Sequence, residues 1–335
     1  MLANVLNAVT HQRVLLSPLN WGLGHVTRTI PVIRQLLKQG NEVFICCDEP
    51  QERFYRNYFP NLWYIPHSGY PFEFGGKGRW LFDISKQLAA LNAFRKQELR
   101  TLNQYVNEFN PDLIISDQRF GFRHTSVRSC IISHQLNLPL PLWAKLGNFF
   151  NQQQLNQFDE IWLPDLEGSI LSGELSQMPS EKVKYIGWLS RFKYPGVTNE
   201  FKEFSHLGVV SGPDPYAKQL YDTMISEFSK LESRTVIIAP SRHITGSALQ
   251  FGNCSIHPNP SPESMEQLFS SSETVVSRSG YSTLMDLTVM QNNALLIPTP
   301  GQLEQLYLAK KHVQHEKWKF TTQLNKKNLE GFKSL

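Results

Sequence analysis

The feature that most constrains the fold is a repeated order of elements: a short apolar run, a turn of small residues, and then a segment with helical spacing. Arg13–Pro18 is such a run, and Val26–Gln39 follows it with apolar residues on one helical face. The second half restarts this order with His206–Ser211 and then Tyr216–Leu231. Apolar strands that alternate with helices are typical of a parallel sheet covered on both faces. We therefore expect an α/β chain with two doubly wound, Rossmann-like domains.

The same patterns predict further elements in each half. In the first half we expect strands at Glu42–Cys47, Leu62–Ile65, Asp112–Ser116, Ser129–Ser133 and Glu160–Leu163, and a long helix over Leu81–Phe109 that breaks near Asn92. In the second half we expect strands at Arg234–Ala239, Thr274–Ser277 and Ala294–Pro298, a helix that ends near Met290, and another over Gln302–His315.

A stretch of mixed polarity with little periodicity, Ser190–Ser205, separates the two halves. We therefore expect an N-terminal domain over residues 1–195, a linker over 196–205 and a C-terminal domain over 206–320. The segment 321–335 is expected to pack back on the N-terminal domain. Open α/β sheets bind ligands at the carboxyl ends of their strands, so we expect a binding cleft that both domains line.

Charge and cysteine content narrow the classes of partner. The 335 residues include 33 Lys and Arg against 29 Asp and Glu, which gives a formal net charge of +4. This charge is too mild to favour nucleic acid, but it suits anionic small ligands or an acidic membrane surface. The four cysteines have no metal-ligand spacing, and the first ten residues lack a secretory pattern, so we expect a reduced, cytoplasmic protein.

Three turns join a predicted strand to a predicted helix with small residues: Asn20–His25, Ser211–Pro215 and Ser277–Ser282. Free N–H groups and the positive end of the helix dipole favour an anion at such a helix start. Glycine lets the backbone approach a ligand closely. Each turn is equally compatible with a purely geometric role, because any βα turn favours small residues.

A dinucleotide site is one alternative for the first turn. Gly22 and Gly24 precede the helix, and Asp48 follows the second strand. The Rossmann fingerprint requires a third glycine, however, and Thr27 occupies its place. The pattern therefore disfavours NAD, which would also leave both C-terminal turns without a role.

Two sets of residues carry a family resemblance. The loop Gly22–Arg28 (GLGHVTR) resembles the loop after the first strand of GT-B glycosyltransferases. Ser277–Gly280 (SRSG), with Asp286 and then Pro298–Gln305 (PTPGQLEQ), is similar to the donor site of MurG-like transferases of glycosyltransferase family 28. The match is strongest over Val275–Ala309. Two further stretches look like a less characterised bacterial subgroup: Ile115–Gly121 and Ser133–Leu136.

The resemblance implies a GT-B fold and a glycosyltransferase that is active in cell-envelope polysaccharide synthesis. Its donor is expected to be a nucleotide-diphosphate sugar, UDP-N-acetylhexosamine, held by the C-terminal domain. The acceptor is expected to be a sugar or a lipid-linked hydroxyl, with peripheral contact at the inner face of the membrane. No cofactor, metal or nucleic acid is expected. The implied donor-binding residues are Ser211, Gly212, Ser277, Arg278, Ser279, Gly280, Asp286, Glu304 and Gln305.

Some implied contacts depart from the family pattern. Asp286 stands where the family has a Glu for the ribose hydroxyls, and the Ser211-Gly212 loop is unusually rich in proline. The resemblance also implies that the N-terminal domain binds the acceptor, through a loop with Gly22, Gly24, Arg28 and Arg119.

Glycosyl transfer needs a base that deprotonates the acceptor hydroxyl. His25 and Asp117 both follow strands at the same predicted sheet edge, and a His oriented by a carboxylate is an effective base. We therefore expect a His25–Asp117 pair and inversion at the anomeric carbon. His134, also after a strand, is the rival base. Each of these residues is also compatible with a structural role at a helix start or turn.

Two other functions remain open at this stage: a nucleotide-sugar epimerase of the same fold, and a non-catalytic subunit that binds a sugar nucleotide. Two segments add acceptor-side hypotheses. Leu138–Phe150 combines Leu, Trp and Phe with Lys145 and is compatible with an interfacial membrane patch or a buried connection. The glycine-rich segment Gly69–Trp80 is compatible with a mobile acceptor-side loop or with disorder.

Overall fold

The computed structural model describes residues 4–193, 201–244 and 249–331. Residues 196–200 of the expected linker and 332–335 of the expected C-terminal segment lie outside the described residues. The chain divides into two compact units. The first comprises Met1–Glu73 and Leu81–Arg191, and the second comprises Phe74–Trp80 and Phe192–Leu335.

The first unit contains a parallel sheet whose described strands run in the order β3-β2-β1-β4-β5-β6-β7. The strands are β1 (Arg13–Pro18), β2 (Glu42–Cys47), β3 (Trp63–Pro66), β4 (Leu113–Asp117), β5 (Arg128–Ile132), β6 (Glu160–Leu163) and β7 (Val183–Tyr185). The helices of this half are α1 (Asn4–Asn7), α2 (Leu23–Lys38), α3 (Glu49–Arg56), α4 (Trp80–Phe109) and α5 (Leu146–Leu155).

From β1, the next strands along the chain, β2 and β3, add to one side of the sheet, and β4 and the later strands add to the other side. The strand order therefore reverses between β1 and β4. Their register pairs Pro18 with Asp117, so both strands end at the same point of the sheet edge. Such a switch point is where open α/β sheets bind ligands. The loop after β1 and the loop after β4 therefore meet at this edge.

The second unit repeats the plan. Over its described residues the strand order is β10-β11-β9-β8-β12-β13-β14, and all pairs except β10 with β11 are parallel. The strands are β8 (Phe204–Val209), β9 (Thr235–Ala239), β10 (Gln250–Phe251), β11 (Cys254–Pro258), β12 (Ser272–Ser277), β13 (Asn293–Leu296) and β14 (Trp318–Phe320). The helices are α6 (Tyr216–Phe228), α7 (Pro262–Ser270), α8 (Tyr281–Met290), α9 (Leu303–Lys311) and α10 (Lys326–Glu330). Its switch point lies between β8 and β12, where Val209 pairs with Ser277.

Both expected doubly wound sheets are confirmed. The long helix α4 has no break near Asn92. In the described part of the expected C-terminal segment, Leu324 and Leu329 lie in the apolar core of the second unit with Phe228. Burial of these leucines explains the packing, since each removes apolar surface from water.

The segment Phe74–Trp80 is a second departure from the sequence prediction. It precedes α4 in the chain, yet it belongs to the second compact unit rather than to the first. Phe74 and Trp80 are both buried, and their rings pack together at a centroid distance of 4.2 Å with an interplanar angle of 48°. Residues 69–79 form a loop, as expected, and the aromatic side chains of Phe74 and Trp80 anchor its end.

Candidate active site

The predicted His25–Asp117 contact is present in the first unit. His25 lies in the first turn of α2, and Asp117 is the last residue of β4. His25 Nδ1 lies 3.2 Å from Asp117 Oδ2, and the carboxylate is fully buried. When Nδ1–H donates to Asp117, Nε2 is the nitrogen left to accept a proton. The arrangement therefore provides an oriented imidazole base.

Arg28 completes a buried cluster around the same carboxylate. Its Nε lies 2.9 Å and 3.0 Å from the two Asp117 carboxylate oxygens, and Nη2 donates to Oδ1 as well. Its Nη1 lies 3.1 Å from His134 Nδ1. His134 therefore faces a guanidinium, whereas His25 faces a carboxylate, and only a carboxylate stabilises the imidazolium that a base becomes.

The surroundings set the protonation states needed for a base. Burial and the nearby Arg28 charge lower the pKa of His25 below its ordinary 6.5, although Asp117 opposes this effect. Burial alone would raise the pKa of Asp117, but Arg28 and His25 outweigh it and hold that pKa below its usual value of 3.8. At neutral pH the imidazole is therefore neutral and the carboxylate is charged.

Two residues assigned to the acceptor-side loop are buried instead. Arg28 is 2% exposed and holds Asp117, so its guanidinium is not offered to an acceptor. Arg119 is 0% exposed, and its Nε donates to Glu98 at 2.6 Å. A buried guanidinium needs a carboxylate partner inside the protein, and each of these two arginines has one.

Glu98 is the centre of a buried network that sequence analysis missed. Its carboxylate also accepts from the Tyr70 hydroxyl at 2.8 Å and lies 3.1 Å from His67 Nε2. The remaining Arg119 nitrogens donate to the carbonyls of Pro18 and Ser68. The network thereby ties together the loops that follow β1, β3 and β4. A Glu inside an amphipathic helix gives no local signal of this role.

The glycines of the first loop have backbone roles. Gly22 precedes α2 with a φ of 103°, a conformation that favours glycine. Gly24 lies within the first turn of α2, and its carbonyl accepts from the Thr27 hydroxyl at 3.2 Å. The nearby Asp48, considered above for a dinucleotide ribose, instead caps α3 by accepting from Gln51 N.

The second unit presents the predicted turn Ser277–Gly280 at its own switch point. Ser277 is buried, its hydroxyl donates to the Val209 carbonyl, and it lies 3.3 Å from the Ser211 hydroxyl. Gly280 is the residue that precedes α8, and no side chain caps the N–H groups at this helix start. These N–H groups and the helix dipole can therefore stabilise an anion.

The turn after β13 packs on this helix start. Gln305 Oε1 accepts from Thr299 N at 2.7 Å, and the Ser279 hydroxyl donates to the Gln305 carbonyl. The Gln305 amide nitrogen would lie 3.8 Å from a Cβ atom placed on Gly280. Gln305 therefore joins the two turns, and Glu304, in the first turn of α9, is half-buried beside it.

Arg278 has partners other than a diphosphate. Its Nη atoms donate to the carbonyls of Tyr216, Ile297 and Pro298, and the side chain is buried. Burial lowers the pKa of Arg278 to about 10. Its guanidinium therefore fixes the loops around the site, and its Nε has no hydrogen-bond partner.

Gly212 and Asp286 complete the predicted donor residues. Gly212 follows Ser211 with a φ of 100°, and a Cβ placed there would meet no atom within 4 Å. Its conformation, rather than crowding, favours glycine. Asp286 is buried within α8. Within the described part of the chain, no group of three or more His, Cys, Asp or Glu side chains is arranged to hold a metal ion.

Comparisons with known proteins agree with this architecture. The glycosyltransferase family 28 C-terminal domain matches residues 217–328. The glycotransferase of kitacinnamycin is 14% identical with a TM-score of 0.66, and the match covers 96% of this chain and 89% of that one. No match was found among curated protein sequences.

Two further solved structures share the fold. Arabidopsis thaliana UGT89C1 complexed with UDP-L-rhamnose is 12% identical with a TM-score of 0.63, covering 96% of this chain and 88% of that chain. MurG of Acinetobacter baumannii is 14% identical with a TM-score of 0.53, covering 96% and 89%. The chain therefore has the GT-B fold of these structures, and residues 217–328 match the glycosyltransferase family 28 C-terminal domain.

Proposed function

We propose that the chain transfers a sugar from a nucleotide-diphosphate donor, UDP-N-acetylhexosamine, to a hydroxyl acceptor with inversion and without a metal. His25 removes the acceptor proton, and the acceptor oxygen then attacks the anomeric carbon. The bond from that carbon to the diphosphate oxygen breaks, and the nucleoside diphosphate leaves with the electron pair. A single displacement of this kind inverts the anomeric configuration.

The start of α8 supports the donor part of this proposal. The start of α8, which no side chain caps, the hydroxyls of Ser211 and Ser277, and the helix dipole form an environment for a diphosphate. The same groups stabilise the negative charge that develops on the leaving group. Glu304 and Gln305 would contact the sugar hydroxyls, and Asp286 the ribose. UGT89C1, which shares the fold, is complexed with a nucleotide-diphosphate sugar.

The observation that carries the proposal is the contact of His25 with the buried Asp117 carboxylate, at the switch point of the first sheet. Asp117 holds Nδ1–H and stabilises the imidazolium that forms when Nε2 takes the acceptor proton. His134 is less suited to this role because its Nδ1 accepts from the Arg28 guanidinium, whereas His25 Nδ1 faces the Asp117 carboxylate.

A screen of nucleotide sugars tests the proposal. We expect UDP-N-acetylhexosamines to raise the melting temperature of the full chain more than GDP- or dTDP-sugars, since a ligand that binds the folded state stabilises it. With an acceptor present, the product should carry the inverted anomeric configuration by NMR. Conversion of the donor alone into its C2 or C4 epimer would instead identify an epimerase, and an absence of binding by every nucleotide sugar would contradict the proposal.

We further propose that the protein contacts an anionic membrane surface through an apolar patch on the 3₁₀ turn Leu142–Ala144 and α5. Leu142 is 79% exposed and Leu146 is 73% exposed, and Phe149 and Phe150 on the same helix are also exposed. Lys145 lies within this patch and adds attraction to acidic headgroups. A lipid-linked acceptor would then be reached from the membrane surface. The described residues contain no helix that is long and apolar enough to span a bilayer.

Binding to lipid vesicles tests the proposed contact of the apolar patch with a membrane. The double substitution Phe149→Ser and Phe150→Ser should reduce co-sedimentation with phosphatidylglycerol vesicles about tenfold, since two large apolar side chains are lost from the interface. The matched control is Val313→Ser, which changes an exposed apolar residue outside the patch. Equal vesicle binding by the wild type and the double variant would contradict the proposal.

A further inference from the structure

The segment Phe74–Trp80, which we call the basic strap, is seated on the loops that the proposed donor site uses. Gly78 N donates to the Tyr216 hydroxyl at 2.8 Å. The Trp80 ring stacks on Tyr216 at a centroid distance of 5.7 Å, and the Phe74 ring meets Tyr216 edge-on at 6.4 Å. Tyr216 is the first residue of α6, directly after the Ser211–Pro215 loop. The strap is thus fixed beside the loop that follows β8.

Glycines bring the strap backbone against two of these loops. A Cβ placed on Gly301 would lie 1.8 Å from the Gly78 carbonyl oxygen, so no side chain fits there. A Cβ placed on Gly76 would lie 2.4 Å from Pro215 Cγ. Gly76, Gly78 and Gly301 also have positive φ angles of 72°, 69° and 75°. The strap therefore lies against the turns after β8 and β13, at the carboxyl ends of these strands.

Polar groups without partners surround this contact. Thr299 is 0% exposed, and its hydroxyl has no hydrogen-bond partner. Arg278 Nε and Gln302 Oε1 also lack partners, and Arg278 donates to the carbonyl of Tyr216, on which the strap is seated. Buried polar groups are rarely left unsatisfied in proteins, so such a cluster is typical of a site whose ligand supplies the missing bonds.

The basic strap adds two positive charges beside the turns that follow β8 and β13. Lys77 and Arg79 flank Gly78 and are both exposed, and neither has an ion-pair partner among the described residues. Ammonium and guanidinium groups form strong charge-assisted hydrogen bonds with phosphate oxygens. Because the strap is already anchored by its aromatic residues, less conformational entropy is lost when a ligand binds.

We propose that the basic strap belongs to the donor site, and that Lys77 and Arg79 bind the diphosphate of the nucleotide. This inference rests on the proposed function and extends its donor site to a segment from the first half of the sequence. A diphosphate is favoured over a neutral ligand because both added groups are cations.

Titration of nucleotides into the full chain tests this inference. The probe is whichever of UDP, GDP and TDP binds the wild type most tightly, together with the corresponding nucleoside. In the double variant Lys77→Gln and Arg79→Gln, we expect about tenfold weaker binding of the nucleoside diphosphate and unchanged binding of the nucleoside. The variant should also show a shallower dependence of affinity on salt. The matched control is Lys96→Gln with Arg100→Gln, two exposed cations on α4.

A second variant tests whether the contact of the basic strap with Gly301 contributes to nucleotide binding, and it leaves the charge unchanged. Gly301→Ala should displace Gly78 and weaken binding of the same nucleoside diphosphate severalfold. Unchanged affinity in the Lys77/Arg79 variant, or an equal loss in the Lys96/Arg100 control, would overturn the inference and leave the proposed function standing. A wild type that binds none of the three nucleoside diphosphates would overturn the proposed function itself.

Discussion

Replacement of His25 by glutamine is expected to lower kcat about a thousandfold while the affinity for the donor nucleotide stays within twofold of the wild type. General base catalysis contributes about 10² to 10⁴ to the rate, and glutamine retains a polar side chain that cannot take the acceptor proton. Steady-state kinetics with a titration of the donor nucleotide measures both quantities. The parallel variant His134→Gln should retain most of its activity, because His134 faces Arg28 rather than a carboxylate.

The pH dependence of kcat/KM in the wild type also tests whether His25 is the general base. Since burial and Arg28 lower the pKa of His25 below 6.5, the imidazole is neutral above that pH and becomes protonated only at lower pH. We therefore expect kcat/KM to be flat across neutral pH and to fall on the acid side, with a midpoint below 6.5. Near-normal kcat in the His25 variant together with loss of activity in the His134 variant would assign the base to His134.

Replacement of Glu98 by glutamine is expected to destabilise the protein by about 3–5 kcal/mol. The substitution leaves the buried Arg119 without a counter-charge, which is the most damaging way to break a buried ion pair. It also weakens the contacts of Tyr70 and His67 with the same carboxylate. Urea unfolding followed by circular dichroism measures the loss, and the melting temperature should fall by about 10 °C.

The stability of Glu98's network also depends on pH. Burial would raise the pKa of Glu98, but His67 and Arg119 outweigh it and hold that pKa below 4.5. Its stabilising effect is therefore complete above about pH 4.5 and is lost as the pH falls through the lowered value. Glu108→Gln, an exposed change on the same helix, should alter the free energy of unfolding by less than about 0.5 kcal/mol. Equal stability of the Glu98 and Glu108 variants would contradict the role given to the network.

The sequence predicts the sheets and the His25–Asp117 contact for the same physical reason. Periodicity locates β1 and β4, and the switch point of a doubly wound sheet then brings the residues after these strands together. Local pattern and known topology therefore suffice for this pair. The start of α8 follows equally from the small residues of Ser277–Gly280.

Burial of arginine side chains could not be predicted in this way. Arg119 is held by Glu98 on a helix 21 residues earlier, and Arg28 by Asp117, 89 residues later. Neither partner changes the local pattern around the arginine. Placement of Gly78 against Tyr216 involves a separation of 138 residues, and an isolated glycine-rich segment indicates only flexibility. Long-range contacts of this kind depend on tertiary packing, which periodicity does not report.

The most direct test of the central claim is a crystal structure of the full chain with UDP bound. We predict that the β-phosphate lies within hydrogen-bond distance of the backbone N–H groups at the start of α8, next to Gly280. UDP bound elsewhere, with these N–H groups directed at protein atoms or solvent, would contradict the account.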